Sequence, residues 1–282
     1  MADLTTNFLG IQSPNPFWLA SAPPTDKEYN VRRAFEAGWG GVVWKTLGSE
    51  GPPVVNVNGP RYGAIYGADR RLLGLNNIEL ITDRPLETNL EEIARVKKDY
   101  PDRAIIVSLM VPCEEAAWKA ILPRVMETGA DGIELNFGCP HGMAERGMGS
   151  AVGQVPEYIE MVTRWCKQYY DKPVIVKLTP NITDVRFPAR AAKAGGADAV
   201  SLINTINSIT SVNLDAMAPE PMIGDKGTHG GYCGPAVKPI AMNMVAEIAR
   251  CPQTHGLPIS AIGGVTTWRD AAEFMALGAG NV

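Results

Sequence analysis

A phrase that recurs along the chain constrains the fold more than any other feature. In each copy a helix ends at glycine and a strand-forming run follows at once. Complete copies occupy residues 37–45, 128–136 and 195–204, and a fourth begins at Leu277 and reaches Val282. Glycine is the preferred residue for the left-handed cap at a helix C-terminus. Repetition of helix, tight turn and buried strand predicts a parallel α/β fold.

Further apolar runs and amphipathic stretches supply the other units. The predicted strands are Phe17–Ala20, Ala104–Met110, Pro173–Lys177 and Leu257–Ile262, and the predicted helices are Tyr29–Ala37, Glu114–Thr128, Pro156–Tyr169, Asp184–Ala194, Pro239–Ala249 and Trp268–Leu277. With the recurring phrase, these elements predict an eight-stranded (β/α)8 TIM barrel whose site lies at the C-terminal strand ends. A doubly wound sheet is the alternative. It is disfavoured because functional residue types stand at most strand ends instead of clustering at one switch point.

The fourth copy of the phrase bears on the last strand of this barrel. By comparison with residues 40–45, the copy at Gly280 would reach its functional tip only about five residues further on. The sequence as written is therefore expected to stop within the eighth strand. That expectation leaves the first and seventh strands with open edges.

Composition bounds the function classes. The 282 residues are 45% hydrophobic and 20% charged, which suits a single barrel domain over residues 1–282. A net charge of −4 without a basic cluster predicts neither nucleic-acid nor membrane binding. The five cysteines are scattered, so they predict no zinc or iron–sulfur ligand set. This pattern, with no secretion signal or membrane-spanning run, predicts a cytoplasmic protein.

The loop from Asn136 to Gly149 carries the strongest functional signal. It follows the buried run 132–135 and presents an amide, the Cys139 thiol, the His141 imidazole and several glycines. Glycines give such a loop unusual backbone conformations and freedom to move, as active-site loops require. The alternatives are a buried structural cysteine, a Cys-x-His metal pair, and a nucleophile with His141 as its base.

Charged side chains and glycines follow other predicted strands. Lys45 and Lys177 stand at strand ends, where a buried ammonium needs an anionic partner such as a ring that becomes negatively charged. The alternative is a pair of surface lysines with only their stems covered. Gly263 and Gly264 lie between a strand and a helix, as in a barrel phosphate site, or else form an ordinary turn.

Three amides and two long insertions complete the candidate site. Asn77, Asn136 and Asn204 can each donate and accept, which suits a ligand edge that alternates C=O and N–H. Any one of them could instead be a turn or cap residue. Residues 46–88 and 205–234 are long enough to predict lids or binding loops, and both follow strands on the same face.

The motif LNFGCPHGMAERGMG resembles the catalytic loop in the flavin domain of dihydropyrimidine dehydrogenases, especially the flavin subunit of the bacterial NAD-dependent type. These enzymes are relatives of the dihydroorotate dehydrogenases. The resemblance extends to the segments ASAPPTDKEY, FEAGWGGVVWKT, NNIELI, VKLTPNITD, LINT and AIGGV. The CPHGM run followed by ERG separates the chain from dihydroorotate dehydrogenases, which usually continue differently after the shared cysteine or serine.

The resemblance implies an FMN-containing barrel that reduces the 5,6 double bond of uracil and thymine. It implies that Cys139 is the general acid that protonates C5, while reduced FMN gives hydride to C6. A thiol with an ordinary pKa near 8.5 retains the necessary proton at pH 7. The implied substrate-binding residues are Asn77, Asn136, Phe137, Gly138, Asn204 and Thr205. The implied cofactor-binding residues are Ser21, Lys45, Thr46, Lys177, Gly234, Ile262, Gly263 and Gly264.

The same resemblance implies partners. It predicts a uracil- or thymine-type substrate, an electron-donating subunit that uses NAD(P)H and FAD, and a homo- or hetero-oligomer. The iron–sulfur domain of the bacterial subunit has no counterpart in this sequence, and Gly138 stands where the mammalian enzymes have serine. The alternatives are a dihydroorotate dehydrogenase and a non-catalytic protein that binds flavin or pyrimidine.

Overall fold

A computed structural model of the chain describes residues 3–49, 61–140, 147–223 and 226–282. The strands of these residues are, in chain order, β1 (Thr6–Phe8), β2 (Ile11–Ser13), β3 (Trp18–Leu19), β4 (Gly41–Leu47), β5 (Tyr62–Tyr66), β6 (Leu72–Asn77), β7 (Ala104–Leu109), β8 (Gly132–Asn136), β9 (Val174–Lys177), β10 (Ala199–Leu202), β11 (Ile206–Ser208), β12 (Ser211–Asn213), β13 (Ala218–Glu220), β14 (Met222–Ile223), β15 (Lys226–Gly227), β16 (Gly230–Cys233) and β17 (Ile259–Ala261). The α-helices are α1 (Glu28–Glu36), α2 (Leu86–Asp99), α3 (Glu115–Glu127), α4 (Ser150–Gly153), α5 (Pro156–Tyr169), α6 (Arg186–Ala194), α7 (Lys238–Arg250) and α8 (Trp268–Ala276).

Seven strands form one curled parallel sheet. Their order across the sheet is β3-β4-β7-β8-β9-β10-β17, which is also their order along the chain. A doubly wound sheet would reverse its strand order at a switch point, and no reversal occurs within this sheet. The predicted TIM-barrel class is therefore confirmed, and the doubly wound alternative is wrong. The recurring glycine phrase predicted these helix–turn–strand units correctly because Gly38, Gly129 and Gly196 all adopt positive φ between a helix and its strand.

The two edge strands of this sheet both contact residues 280–282. On one side, Gly280 N donates to Ile259 O at 2.8 Å, and Ala261 N donates to Asn281 O at 3.0 Å. On the other side, Trp18 N donates to Val282 O at 2.9 Å. The prediction of open edges is therefore wrong at these positions, because three residues of the fourth phrase copy pair with both strands.

A hairpin that the sequence did not predict fills the interior at the N-terminal end of the sheet. Strands β1 and β2 pair antiparallel and insert Phe8 and Ile11 among the inward side chains. The Phe8 and Trp18 rings meet edge to face, with centroids 5.8 Å apart. The Trp18 indole also donates to Ser13 Oγ at 3.1 Å. The resulting apolar layer also contains Val43, Ala104, Ile106, Ile175 and Ala199.

The two long insertions form a second, antiparallel sheet over the C-terminal strand ends. Its strand order is β11-β16-β6-β5. Strands β5 and β6 of the first insertion therefore join strands β11 and β16 of the second through the pairing of β6 with β16. Asn77 lies opposite Gly231 in the β6–β16 register. The prediction that both insertions lie over the same face is confirmed, but their description as loops is wrong where these strands form. Residues 50–60 and 224–225 of the insertions lie outside the described residues.

The helices cover the outside of the parallel sheet with their apolar sides inward. Helix α5 has the predicted bounds and buries Ile159, Val162 and Cys166, which recur at helical spacing. The other predicted helices end within two residues of their observed bounds. In the described part of the chain, no helix combines the length and the apolar character that a membrane span requires.

Phe8→Ala is expected to lower the free energy of unfolding by about 3–5 kcal/mol, because it leaves a cavity against Trp18 in the interior layer. Urea denaturation measures the change. Leu4→Ala is the matched control, since Leu4 is exposed nearby and should change stability by less than about 0.5 kcal/mol. Equal, small effects of the two variants would show that the hairpin does not support the barrel.

Candidate active site

A cavity of about 820 Å³ lies between the C-terminal strand ends and the antiparallel sheet. The predicted site residues that line it are Ser21, Lys45, Thr46, Asn77, Asn136, Cys139, Lys177, Asn204, Thr205, Gly234, Ile262, Gly263 and Gly264. They converge because parallel strands bring their C-terminal ends to the same rim. The structure thus places almost all of the predicted site around one space.

Phe137 and Gly138 are the predicted site residues that do not line this cavity. Phe137 is buried in the main hydrophobic core. Gly138 lies behind Asn204, and a Cβ at Gly138 would come within 2.5 Å of the Asn204 side chain. A serine could not replace Gly138 without moving that amide. In this structure, these two residues therefore lie behind the cavity-lining residues and support their positions.

A chain of hydrogen bonds joins the polar side chains along the rim. The hydroxyls of Ser21 and Thr46 lie 3.2 Å apart, and Asn136 Nδ2 donates to Thr46 Oγ1 at 2.9 Å. Asn204 Nδ2 donates to Asn136 Oδ1 at 2.9 Å, and Thr205 N donates to Asn204 Oδ1 at 2.8 Å. Each Nδ2 carries two hydrogens, so both amides have a second donor to offer a ligand. The network fixes the orientation of those donors.

Asn77 approaches the cavity from the antiparallel sheet. Its Nδ2 donates to Gly231 O at 3.0 Å, and its Oδ1 accepts from Glu79 N at 3.3 Å. The β6–β16 pairing therefore sets the position of this amide. Asn77 also hydrogen-bonds the thiol of Cys233, a second cavity cysteine that sequence reasoning missed. Burial raises the pKa of the Cys233 thiol, and the bond from Asn77 only partly offsets that rise.

Both strand-end lysines are buried, each 5% exposed, so the surface-lysine alternative is wrong. Each also has a carboxylate partner that sequence reasoning did not assign. Lys45 Nζ lies 2.6 Å from Glu79 Oε2, and Lys177 Nζ lies 3.7 Å from Glu134 Oε1. Strand alternation could have identified Glu134, which precedes the predicted Asn136 by two residues and so faces the same side of the sheet. Protein carboxylates thus supply the anionic partners that burial requires.

Glu79 is held by two cations. Burial alone would raise the pKa of its carboxyl, but hydrogen bonds from Lys45 and Arg61 outweigh burial and hold that pKa below its ordinary value. Arg61 Nη1 lies 3.0 Å from Glu79 Oε1. Because the pKa is lowered, this carboxylate remains ionised at neutral pH.

Cys139 follows β8 and lines the cavity while packing against Ile81, Met110 and Met148. Its carbonyl accepts from Ser150 N at 3.0 Å, so the backbone at Cys139 is joined to the first residue of α4. Burial and exposure to the cavity therefore coexist at this residue. The predicted partner His141 lies outside the described residues, as do residues 142–146. Among the residues that the structure does describe, no cluster of side chains suits a metal ion.

Three glycines shape the far end of the cavity. Gly234, Gly263 and Gly264 all have positive φ, which favours glycine over any other residue. A Cβ on Gly264 would come within 2.9 Å of Gly234 O and within 2.8 Å of Lys238 Cβ. Two loops therefore meet in close backbone contact where α7 begins. Such a meeting of backbone amides and a helix N-terminus suits a phosphate group.

The sequence model of a protein family described as dihydroorotate dehydrogenase matches residues 3–282. The chain belongs to this family. The assignment confirms the predicted resemblance and the predicted enzyme class, an oxidoreductase acting on CH–CH groups. Members of this family are flavin enzymes.

Several curated relatives align with nearly the whole chain. The NADP(+) dihydropyrimidine dehydrogenase of Arabidopsis thaliana, described as chloroplastic, is 43% identical over 99% of this chain and 67% of its own length. The NAD-dependent dihydropyrimidine dehydrogenase subunit PreA of Escherichia coli K12 is 42% identical with the same coverage. The catalytic subunit of the NAD(+) dihydroorotate dehydrogenase B of Pyrococcus abyssi is 39% identical over 98% of this chain and 84% of its own length.

Glu79→Gln is expected to lower the free energy of unfolding by about 3–5 kcal/mol at pH 7, because Lys45 loses its buried counter-charge. The pKa of Glu79 is lowered on folding, so its contribution is full above the ordinary carboxyl range. It is lost as pH falls through the lowered folded-state value. Urea denaturation over a pH series measures both features.

Glu91→Gln is the control for this variant, since Glu91 is exposed and lies 3.8 Å from Arg95. It should cost at most about 1 kcal/mol. A deficit in Glu79→Gln that stays constant into acid would contradict the assignment of the effect to the charge of Glu79.

Proposed function

We propose that the chain is an FMN-dependent dehydrogenase that reduces the 5,6 double bond of uracil and thymine. The observation that carries this proposal is the convergence of the Cys139 thiol with three asparagine amides and two lysines around one cavity. The dihydropyrimidine dehydrogenases among its relatives support the choice of substrate class.

The residues present fit a flavin nucleotide. The backbone approach of Gly264 to Gly234 leaves no room for a Cβ beside the start of α7, where a phosphate would bind. Lys45 and Lys177 line the cavity, and both would be available to the isoalloxazine ring. The cofactor contacts would come from Ser21, Lys45, Thr46, Lys177, Gly234, Ile262, Gly263 and Gly264. When bound, FMN supplies the hydride for C6 of the pyrimidine.

The amides on the rim would bind the pyrimidine edge. Uracil and thymine alternate C=O and N–H groups, and Asn77, Asn136 and Asn204 carry both donors and acceptors. Because Asn136 already bonds to Thr46 and Asn204, these amides are oriented before a ligand enters. Thr205 would add a hydroxyl, while Phe137 and Gly138 hold the wall from behind. Preorganised hydrogen-bond partners discriminate strongly against ligands that lack the matching groups.

Cys139 would hold the proton for C5. A thiol donates its proton as negative charge develops on carbon, and hydride and proton together saturate the double bond. The thiolate that remains takes a proton from solvent before the next cycle. Lys177 would stabilise negative charge on the cofactor ring, which is where a buried ammonium contributes most. Burial of Cys139 keeps competing water away from the transfer.

Electrons would reach this site through a partner. The name of the Escherichia coli relative describes a subunit of an NAD-dependent enzyme. An electron-donating subunit that uses NAD(P)H and FAD, and assembly into an oligomer, enter the proposal from the sequence resemblance. A cytoplasmic setting also belongs to it, since none of the five cysteines, all of which are described, forms a disulfide.

Interconversion of dihydroorotate and orotate is the second candidate, favoured by the family match and by the Pyrococcus abyssi relative. The test is the visible spectrum of the purified chain, followed by reoxidation of the reduced flavin with uracil, thymine or orotate. Bound yellow FMN that only uracil and thymine reoxidise supports the proposal. Reoxidation by orotate alone would assign the second activity, and a colourless protein that takes up no added FMN would refute both.

Cys139→Ala is expected to slow pyrimidine-dependent flavin reoxidation by about 10²–10⁴-fold, because the positioned proton donor is lost. Binding of FMN and uracil should remain, since the variant removes only the sulfur. Stopped-flow absorbance measures the rate. Cys113→Ala is the matched control, because this thiol does not line the cavity. Wild-type rates in Cys139→Ala would remove Cys139 from the mechanism.

Asn136→Ala and Asn204→Ala should each weaken uracil binding by about 1–3 kcal/mol, because a buried ligand group would lose its partner. Flavin difference spectra report the affinity. Asn243→Ala is the control, since Asn243 lies on helix α7 and bonds only Glu247 at 3.3 Å among the described residues. Unchanged affinity in both cavity variants would rule out the proposed role of these amides.

A further inference from the structure

A buried carboxylate lies directly behind Lys177. Glu134 is only 1% exposed and does not line the cavity, whereas the Lys177 ammonium does. Ser201 Oγ donates to Glu134 Oε2 at 2.7 Å. The other oxygen, Oε1, lies 3.7 Å from Lys177 Nζ and has no hydrogen-bond partner among the described residues. Glu134 therefore balances the charge of Lys177 without occupying its N–H donors.

The second lysine of the cavity is held differently. Lys45 Nζ lies 2.6 Å from Glu79 Oε2, so one of its donors is spent on a carboxylate. Glu79 itself lines the cavity, in contrast to Glu134. The two ammonium groups are thus unequal: Lys45 is hydrogen-bonded to its counter-charge, and Lys177 is only electrostatically paired with its own.

We infer that Glu134 is a positioning residue that acts through Lys177 to set the reduction potential of the bound cofactor. The inference rests on the proposed function, in which Lys177 faces the cofactor ring. An ammonium against the ring favours the reduced, anionic form, and strong stabilisation of that form makes it a poorer hydride donor. A carboxylate behind the ammonium weakens the field at the ring. Glu134 thereby keeps the reduced cofactor reactive towards a carbon–carbon double bond.

Ser201 fixes the geometry of this effect. Its hydroxyl occupies Oε2 and leaves Oε1 facing Lys177 at ion-pair distance. All three side chains are buried, next to the apolar layer around Phe8 and Ile106, so solvent screens their charges only weakly. Interactions between charges are strongest in such a setting, so a single carboxylate has a measurable effect.

The test compares Glu134→Gln with Glu134→Asp in the full chain. Anaerobic titration gives the dissociation constants for oxidised and two-electron-reduced FMN. The ratio of the oxidised to the reduced constant is the preference for reduced FMN. Glu134→Gln keeps the volume and removes the charge, so the preference for reduced over oxidised FMN should rise by about tenfold, or about 30 mV for a two-electron couple. Glu134→Asp keeps the charge and loses a methylene, so its preference should stay within about threefold of wild type.

Two further variants complete the experiment. Asp198→Asn removes a carboxylate that pairs with Lys167 at 2.7 Å away from the cavity, and the preference should not change. Ser201→Ala frees Oε2 so that the carboxylate can bond Lys177 directly, and the preference should fall by about threefold. Ser201→Ala also serves as the deciding variant if Glu134→Gln does not fold.

A preference that is unchanged or lower in Glu134→Gln overturns the inference, as does an unchanged preference in Ser201→Ala when Glu134→Gln does not fold. Equal shifts in the Gln and Asp variants would assign Glu134 a packing role and also overturn it. A wild-type chain that binds no FMN, or whose reduced FMN no pyrimidine reoxidises, would refute the proposed function instead.

Discussion

The backbone hydrogen bonds between β8 and β9 place Asn136 opposite Lys177, and those between β9 and β10 place Lys177 opposite Ser201. The cavity depends on this register. Side chains alternate across a strand, so a slip of one residue would turn the ammonium and the amide out of the interior. The helices enforce the register from outside, because apolar residues such as Leu135 and Val176 must face them at the same time.

The interior of the parallel sheet is layered by polarity. The β1–β2 hairpin closes the N-terminal end with Phe8 and Ile11, and an ion-paired layer lies between it and the cavity. Burying Lys177 beside Glu134 keeps that layer neutral, which lowers the cost of removing both charges from water. The apolar layer separates these two charged side chains from solvent at the N-terminal end of the sheet. The cavity is therefore the side towards which they can move.

The antiparallel sheet makes a rim of strand tips into an enclosed site. Pairing of β6 with β16 joins two insertions that are far apart in the sequence. It brings Asn77 and Cys233 to the cavity and provides Glu79 as the partner of Lys45. Each sheet therefore needs the other: the parallel sheet provides most of the polar groups, and the antiparallel sheet covers them and neutralises one lysine.

The sequence by itself determined the fold class, most helix bounds and most of the residues around the cavity. These features follow from local signals: glycine at helix ends, apolar periodicity, and the side chains at strand tips. Only the tertiary structure decided the hairpin that fills the interior, the pairing of the insertions and the carboxylate partners of the lysines. Lys45 and Glu79 are 34 residues apart, and Glu134 and Ser201 are 67 apart. Such contacts depend on the register and docking of distant strands, which no local pattern specifies.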